Sequence, residues 1–275
     1  MNKIKSWLAL NPRLLLLMPY FIIAIFLIIL PVILIIISAF TYHGEDFDNW
    51  KVVKNYSFGI IVWRSVKLGL IAAFISLIIA MPYAFFVATH ESKTFKIFAL
   101  TLIISPLLIF SIAKLYSVKG VFLSVFEEQD LSAEWFMVVG MVYLNLPFMI
   151  MPLYGVFNNL PKNIIEASQD LGYSKIQTFF KVIIPFSVKA IISGLTLVFL
   201  SSSTSIIVTD KLMPNKNHFQ TVGNLINDYA NPGSVTSMSI CSTIVICVTL
   251  IIFGVVALFY VMPKIIYKIK RINYD

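Results

Sequence analysis

The sequence predicts an all-α membrane protein with six transmembrane helices. Composition is the first observation: 59% of the 275 residues are hydrophobic, 12% are charged, and the mean hydropathy is +0.90. A soluble domain carries about 25% charged residues. The second observation is the length of the apolar runs, about 20 residues each, which suits a helix that crosses a bilayer. These runs are continuous and do not alternate, so a membrane β-barrel is disfavoured.

Six apolar runs divide the chain, and we predict one transmembrane domain over 1–275. The predicted spans cover residues 14–40, 66–89, 97–116, 135–157, 186–208 and 238–262. Prolines recur inside the first four spans, where each removes a backbone hydrogen bond and bends the helix. Such bends serve either helix packing or the lining of a pathway.

The distribution of basic residues predicts the orientation. One side, with both termini and the loops at 90–96 and 158–185, carries 13 basic and 4 acidic residues. The other side carries 8 basic and 9 acidic residues. Cytoplasmic loops are enriched in lysine and arginine, so both termini and the 158–185 loop are predicted to be cytoplasmic. Topology explains the net charge of +8, and no nucleic-acid partner is needed.

No sequence motif of a self-contained enzyme is present, and no catalytic residue is predicted. The GxxxxGK[ST] phosphate loop and the HExxH, GxSxG and CxxC motifs are all absent from the sequence. His43, His90 and His218 lie in three separate hydrophilic segments, and Cys241 and Cys247 lie six residues apart in one apolar run. We therefore predict neither a metal site nor a disulfide.

The 158–185 loop is too polar to enter a membrane, yet it is rich in helix formers. Its pattern predicts one helix over 161–172, with Gly172 just past its end, and a second helix over 174–184 capped by Ser174. Both helices have an apolar side that nothing in the loop covers. The pattern alone leaves two interpretations open: an amphipathic connector on the membrane surface, or an element that docks a partner.

This loop resembles the signature loop of ABC importer permeases, which reads EAA, three residues, G, nine residues and I-x-L-P. Glu166, Ala167 and Ser168 hold the EAA positions, Gly172 follows after three residues, and 182–185 read VIIP. The loop departs from the signature at three positions: Ser168 replaces alanine, Val182 replaces isoleucine and Ile184 replaces leucine. Further runs resemble the B-type permease of spermidine/putrescine importers over about residues 60–260: LPFMIMPLY at 146–154, VTDKL at 208–212 and GNLI at 223–226.

The resemblance implies the type I ABC importer permease fold in a bacterial cell membrane, and a division of labour between subunits. In the family, this loop forms a coupling helix that docks on a separate ATP-binding subunit. The implied partners are a second permease, two ATP-binding subunits that bind the ATP and Mg²⁺, and an extracytoplasmic binding protein. This chain itself is expected to hold no cofactor. The implied docking residues are Glu166, Ala167, Ser168, Asp170, Leu171 and Gly172.

Polyamine cargo carries two or more positive charges, so its passage requires carboxylates, aromatic faces or polar oxygens. Asp210, at the end of the fifth span, is the strongest candidate, with an ion pair at the outer interface as the alternative. Ser201, Ser205 and Thr209 are predicted to share one helix face, either as pathway lining or as packing hydroxyls. Tyr143 is a further candidate, as a cation–π contact or an interface anchor.

An acidic outer loop offers a second source of negative charge, either as a mouth that concentrates cations or as a solvated loop. Its four carboxylates are Glu127, Glu128, Asp130 and Glu134. Two other functions remain open. One is the same type of importer with an inorganic anion, a metal or another organic cation as cargo. The other is a stand-alone secondary transporter or channel, which the nearly charge-free spans disfavour.

Overall fold

The computed structural model describes residues 18–41, 47–214 and 218–269, without the side chains of Lys162 and of 266–269. Within these ranges all regular secondary structure is helical. The helices in chain order are α1 (Met18–Phe40), α2 (Tyr56–Thr89), α3 (Lys93–Ile104), α4 (Ser111–Leu123), α5 (Glu134–Asn158), α6 (Lys162–Asp170), α7 (Lys175–Phe186), α8 (Val188–Ser203), α9 (Ile207–Leu212), α10 (Val222–Tyr229) and α11 (Val235–Ile269).

Four of these helices, α1, α2, α5 and α11, are long and apolar enough to cross a membrane. Two bent pairs pass the same test together, α3 with α4 and α7 with α8, so the number of spans reaches up to six if each pair is one span. The predicted fourth span, 135–157, is confirmed by α5. Helix α2 begins ahead of its predicted start at 66, and α11 extends past its predicted end at 262.

The predicted third span, 97–116, with its expected bend at Pro106, is divided between α3 and α4, which meet at 102°. Helix α3 runs into a 3₁₀ turn at Ser105–Leu108, and the chain is extended at Ile109 and Phe110. Pro106 has no N–H to donate to the carbonyl of Leu102. The Ser105 hydroxyl donates to that carbonyl instead, at 3.1 Å, and so satisfies the acceptor that the proline leaves free.

The predicted fifth span also differs from the structure. Helix α8 ends at Ser203, and α9 begins only at Ile207. The Thr204 hydroxyl donates to the carbonyl of Leu200 at 2.8 Å, so a side chain competes for the backbone acceptors of the last turn. Ser201, Ser205 and Thr209 therefore do not share a face of one continuous helix, and the prediction that they do was wrong.

Two prolines are each preceded by a π-helical turn that ends two residues before them. The turns are Ile25–Ile29 before Pro31 in α1 and Phe179–Ile183 before Pro185 in α7. A proline ring clashes with the carbonyl four residues earlier, and a wider turn moves that carbonyl away. After Pro185 the chain bends by 72° at Ser187, between α7 and α8.

Residues 56–227 and 248–275 form one compact unit in which α2, α5 and α8 pack together. A buried apolar cluster joins α2, α4, α5 and α9 in this unit. Its buried members are Leu68, Ala72, Leu115, Leu131, Phe136, Met137, Val138, Met141, Val142, Val208, Leu212 and Met213. Near this cluster α10 is held to α2, where the backbone N–H of Val222 donates to Ser65 Oγ at 2.8 Å.

Residues 1–55 and 228–247 form the second compact unit. Its described part holds α1 and the N-terminal portion of α11. Asn49 is buried after the end of α1 and donates through Nδ2 to the carbonyls of Ala39 (3.1 Å) and Thr41 (2.8 Å). The Thr243 hydroxyl on α11 donates to the carbonyl of Asn49 at 3.0 Å. These bonds tie the C-terminal end of α1 to α11.

Candidate functional site

The α6–α7 segment, residues 162–186, confirms the two predicted helices and the turn between them. Gly172 adopts φ +84°, a backbone conformation that favours glycine. Its N–H donates to the carbonyl of Gln169 at 2.8 Å, and the N–H of Tyr173 donates to the carbonyl of Ser168 at 3.1 Å. This pair of bonds is a Schellman motif, which satisfies the last carbonyls of α6.

Helix α7 starts with a capping box. Ser174 Oγ accepts from the N–H of Gln177 at 3.3 Å, and Gln177 Oε1 accepts from the N–H of Ser174 at 3.0 Å. Two backbone donors that a helix start leaves free are thereby satisfied. The turn between α6 and α7 is therefore specified on both sides, at Gly172 and at Ser174.

A buried contact between two hydroxyls fixes α6 against α7. Ser168 Oγ lies 2.9 Å from Thr178 Oγ1, and it also donates to the carbonyl of Ile165 at 2.8 Å. Ser168 is 5% exposed and Thr178 is 2% exposed. Of the predicted docking residues, Ser168 therefore faces the inside of the segment, where it positions α6.

The other predicted docking residues lie on the surface. Glu166, Ala167, Asp170 and Gly172 are all exposed. Leu171 is 79% exposed, a large apolar side chain at the tip of the turn. Ile176, at the start of α7, is 72% exposed. The turn therefore exposes the apolar side chains of Leu171 and Ile176, with the exposed Asp170 carboxylate next to Leu171 in the chain.

Aromatic contacts connect the α6–α7 segment to the long helices. Phe179 in α7 packs against Phe85 in α2, with ring centroids 5.4 Å apart, and Phe85 packs against Phe157 in α5 at 5.7 Å. Lys181 places its Nζ 4.9 Å from the ring centroid of Tyr173. The aromatic contacts therefore pack α7 against α2 and α2 against α5.

The predicted pathway residues fall into two groups. In the first group, Ser201 near the end of α8 donates to Asn145 Oδ1 at 2.7 Å, and Asn145 Nδ2 donates to Ser202 Oγ at 3.0 Å. Ser201 is exposed, and Tyr143 is 39% exposed two residues before Asn145 on α5. Ser201 and Asn145 thus belong to one hydrogen-bonded group, whereas Tyr143, two residues from Asn145 in α5, points to another side of that helix.

In the second group, around α9, Thr209 is fully buried, and its Oγ1 lies 3.3 Å from Thr221 Oγ1. Thr221 Oγ1 also donates to the carbonyl of Ser205 at 3.3 Å. Asp210 forms an ion pair with Lys211 at 2.7 Å, and the hydrogen bond from this carboxylate raises the pKa of Lys211. Thr209 and Ser205 therefore take part in packing, and the charge of Asp210 is offset by its neighbour.

The acidic loop before α5 is partly neutralised by cations. Glu134, in the first turn of α5, pairs with Arg64 at 3.3 Å and with Lys67, both on α2. Arg64 also donates to the carbonyl of Gln220 at 3.3 Å. Glu128 lies 3.4 Å from Lys119. Glu134 therefore connects α2 and α5. Among the described residues no group of three or more histidines, cysteines or carboxylates could hold a metal ion.

Comparison with known families adds a finding that is independent of this geometry. The family model for binding-protein-dependent transport system inner membrane components matches residues 7–266. The chain belongs to this family. It is therefore a multi-pass membrane transport component, and the match reaches beyond the range of about 60–260 in which the sequence resemblance was recognised.

Individual relatives align with between about two thirds and nearly all of this chain. The spermidine/putrescine transport system permease protein PotB homolog of Mycoplasma pneumoniae is 32% identical over 96% of this chain and 99% of its own length. The homolog of Mycoplasma genitalium is 30% identical over 91% of this chain and 92% of its own length. The PotB protein of Escherichia coli K12 is 32% identical over 65% of this chain and 69% of its own length.

Sequence reasoning missed two polar residues that organise this transport component. Asn145 is 4% exposed within α5, and Thr178 is 2% exposed within α7. An amide inside a predicted span was a usable signal for Asn145, because polar side chains in membrane helices bond neighbouring helices. Nothing in the sequence pattern distinguished Thr178, since its role depends on how α6 folds back against α7.

Proposed function

We propose that this chain is the permease subunit of an ATP-driven importer for polyamines, spermidine and putrescine. The observation that carries the proposal is the match with relatives named as spermidine/putrescine permeases, over 96% of the chain for one of them. In this proposal the chain forms one transmembrane domain and does not hydrolyse ATP by itself. A second permease completes the pathway, and an extracytoplasmic binding protein delivers the cargo.

The proposed topology has six spans, with both termini in the cytoplasm. Each bent pair, α3 with α4 and α7 with α8, then counts as one span. The excess of basic residues on the side of the termini and of the 158–185 loop supports this orientation. The α6–α7 segment is then cytoplasmic, and Glu134 lies on the outer side.

The proposed mechanism assigns the α6–α7 segment to docking on one of two ATP-binding subunits, which bind ATP and Mg²⁺. The exposed Leu171 is the apolar anchor, flanked by Glu166, Ala167 and Asp170, and Gly172 gives the turn its shape. Ser168 holds α6 against Thr178. Closure of the ATP-binding subunits moves α6, and the Phe179–Phe85 contact carries that motion to α2.

The proposed pathway uses polar groups of α5 and α8. Ser201 and Tyr143 are accessible and offer a hydroxyl and an aromatic face to an organic cation. Asp210 would attract the cargo at the outer end, where Lys211 competes for the same carboxylate. Thr209 and Ser205 contribute indirectly, because both bond around Thr221 in this conformation.

Uptake assays test the proposed cargo. Cells that express the complete importer should accumulate labelled spermidine, with unlabelled putrescine as a competitor, and deletion of this chain should abolish the uptake. Labelled inorganic anions serve as the control cargo. Uptake of an anion without uptake of either polyamine would replace the proposed cargo and leave the transport family unchanged.

A further inference from the structure

A groove of about 1090 Å³ lies between α2, α7, α8 and the second half of α11. Met81, Ile192 and Leu195 are buried where they line it, whereas Ile78 and Phe180 are exposed. Among the described residues that line the groove, Lys181 is the only one with a polar side chain. Ligand pockets occupy about 300–1,000 Å³. The groove is therefore large enough for a long apolar ligand.

The bend between α7 and α8 shapes this groove. The chain turns by 72° after Pro185, so the wall that carries Phe180 and Lys181 stands at an angle to α8. Pro82 in α2 and Pro263 in α11 line the same groove, and a proline inside a helix disturbs its regular backbone. The groove thus follows from the path of the backbone around the bend.

The composition of the groove differs from that of a helix–helix contact. Helix interfaces within membranes are enriched in glycine, alanine, serine and threonine, which let two helices approach closely. The contact between α2 and α8 has this character, because Gly69 lies against Ser203 there. None of the described residues that line the groove belongs to these four types. Its bulky aliphatic and aromatic surface suits flexible acyl chains better than a further helix.

Two cations lie beside the groove. Lys181 is exposed, and its Nζ lies 4.9 Å from the ring centroid of Tyr173. Lys264, which directly follows the groove residue Pro263, is also exposed. Within the described ranges neither ammonium forms an ion pair with a carboxylate. The positive charge beside this apolar groove is therefore complementary to an anionic headgroup.

We infer that the groove binds an anionic phospholipid, with its acyl chains against α2, α8 and α11 and its phosphate at Lys181. The inference rests on the proposed topology, which places α7 at the cytoplasmic surface. Basic pockets between transmembrane helices on that side bind anionic headgroups. Burial of the acyl chains supplies affinity, and the lysine supplies selectivity for negative charge. The lipid then contacts the chain on both sides of the bend between α7 and α8.

Photolabelling of the complete importer tests this site. The importer is reconstituted in phosphatidylcholine vesicles that contain phosphatidylglycerol with a diazirine in one acyl chain. After irradiation and digestion, mass spectrometry should find the label on groove residues of α2 and α8. Added unlabelled phosphatidylglycerol should reduce this labelling, and the same addition of phosphatidylcholine should not.

Matched variants separate the headgroup from the acyl chains. Lys181→Gln should lower the apparent affinity for phosphatidylglycerol about fivefold, the effect of one lysine beside an anionic headgroup. Lys93→Gln is its control, because Lys93 is exposed on the same proposed side and outside the groove. Ile191→Trp should reduce labelling by filling the groove, whereas Leu197→Trp, exposed on α8 outside the groove, should not.

Two outcomes would overturn the inference. Equal labelling by the two lipids, with Lys181→Gln unchanged, would mean that the groove holds bulk lipid without selection. A photo-crosslink from p-benzoylphenylalanine at position 78 to the second permease would mean that a protein helix fills the groove. Spermidine uptake is measured separately in the same vesicles. Lost labelling with normal uptake refutes the lipid site alone, whereas normal labelling without uptake refutes the proposed cargo and supports the lipid site.

Discussion

Glycine is needed at position 172 because of its backbone conformation, and not because a side chain there would clash. Its φ is +84°, and a Cβ added there would meet no atom within 4 Å. The left-handed conformation costs a residue with a side chain about 1–2 kcal/mol. A substitution at Gly172 therefore disturbs the Schellman motif without a steric clash, so it tests the shape of the turn alone.

Gly172→Val should reduce the amount of ATP-binding subunit that co-purifies with this chain, because valine disfavours the turn that presents Leu171. Gly155→Ala is the matched control. An added Cβ at Gly155 also meets nothing within 4 Å, but Gly155 lies within the regular helix α5. Equal recovery of the ATP-binding subunit with both variants would contradict a role for the turn in docking.

Glycine is needed at position 223 because the backbone of Thr204 and Ser205 passes too close for a side chain. A Cβ on Gly223 would lie 2.6 Å from the carbonyl oxygen of Thr204 and 2.9 Å from the carbonyl carbon of Ser205. Neither backbone atom can move aside like a flexible side chain. Gly223→Ala should therefore destabilise the protein by about 1–3 kcal/mol, the usual cost of overpacking.

Thermal unfolding of the purified importer measures the effect of Gly223→Ala as a lowered midpoint. Gly254→Ala is the control, because nothing lies within 4 Å of an added Cβ at Gly254 in α11. An unchanged midpoint for Gly223→Ala would mean that α10 does not approach the break between α8 and α9 as closely as the structure shows.

At the scale of single elements, a buried hydroxyl contact holds α6 against α7 in addition to the turn between them. Ser168→Ala leaves Thr178 Oγ1 buried without the partner that it has at 2.9 Å, and an unsatisfied buried polar group costs about 1–3 kcal/mol. Adding Thr178→Val removes that polar group as well. The double variant should therefore be more stable than Ser168→Ala alone.

A double-mutant cycle on these two residues, read as stability of the importer and as ATP hydrolysis coupled to uptake, checks the contact. We expect an interaction energy of about 1 kcal/mol, within the range for contacting residues. If the effects of the two single variants are additive, Ser168 and Thr178 have no interaction energy. The connection of α6 to α7 would then depend on the backbone turn.

The elements also show which features a hydropathy pattern can predict. It located α5 almost to the residue and found α6 and its ending at Gly172, since a proline start and a glycine end are local signals. Proline marked the bend at Ser105–Phe110 without giving its size, and the break at Thr204–Ile206 was not predicted. The hydropathy continues or falls only gradually through both breaks, so it does not reveal them. The path of the backbone there depends on side-chain hydroxyls that bond backbone carbonyls, Ser105 to Leu102 and Thr204 to Leu200.

At the scale of the whole molecule, the helices that form the scaffold are distinct from the segment that we propose docks the ATP-binding subunit. The packing of α2, α5 and α8 forms the scaffold, and the Asn145 amide crosslinks α5 to α8 through Ser201 and Ser202. The α6–α7 segment leaves Leu171 and Ile176 exposed. Sequence reasoning identified that segment from its motif. It could not identify the groove beside Lys181, because helices distant in the chain have to meet there.

ATP-dependent uptake of labelled spermidine by the reconstituted importer tests the central claim most directly. Proteoliposomes with the wild-type chain, the second permease, the ATP-binding subunits and the binding protein should accumulate spermidine only when ATP reaches the ATP-binding subunits. With Gly172→Val, uptake should fall at least about tenfold, since loss of coupling by about 1.4 kcal/mol already changes an equilibrium tenfold. Uptake without ATP, or equal uptake by both chains, would contradict the account.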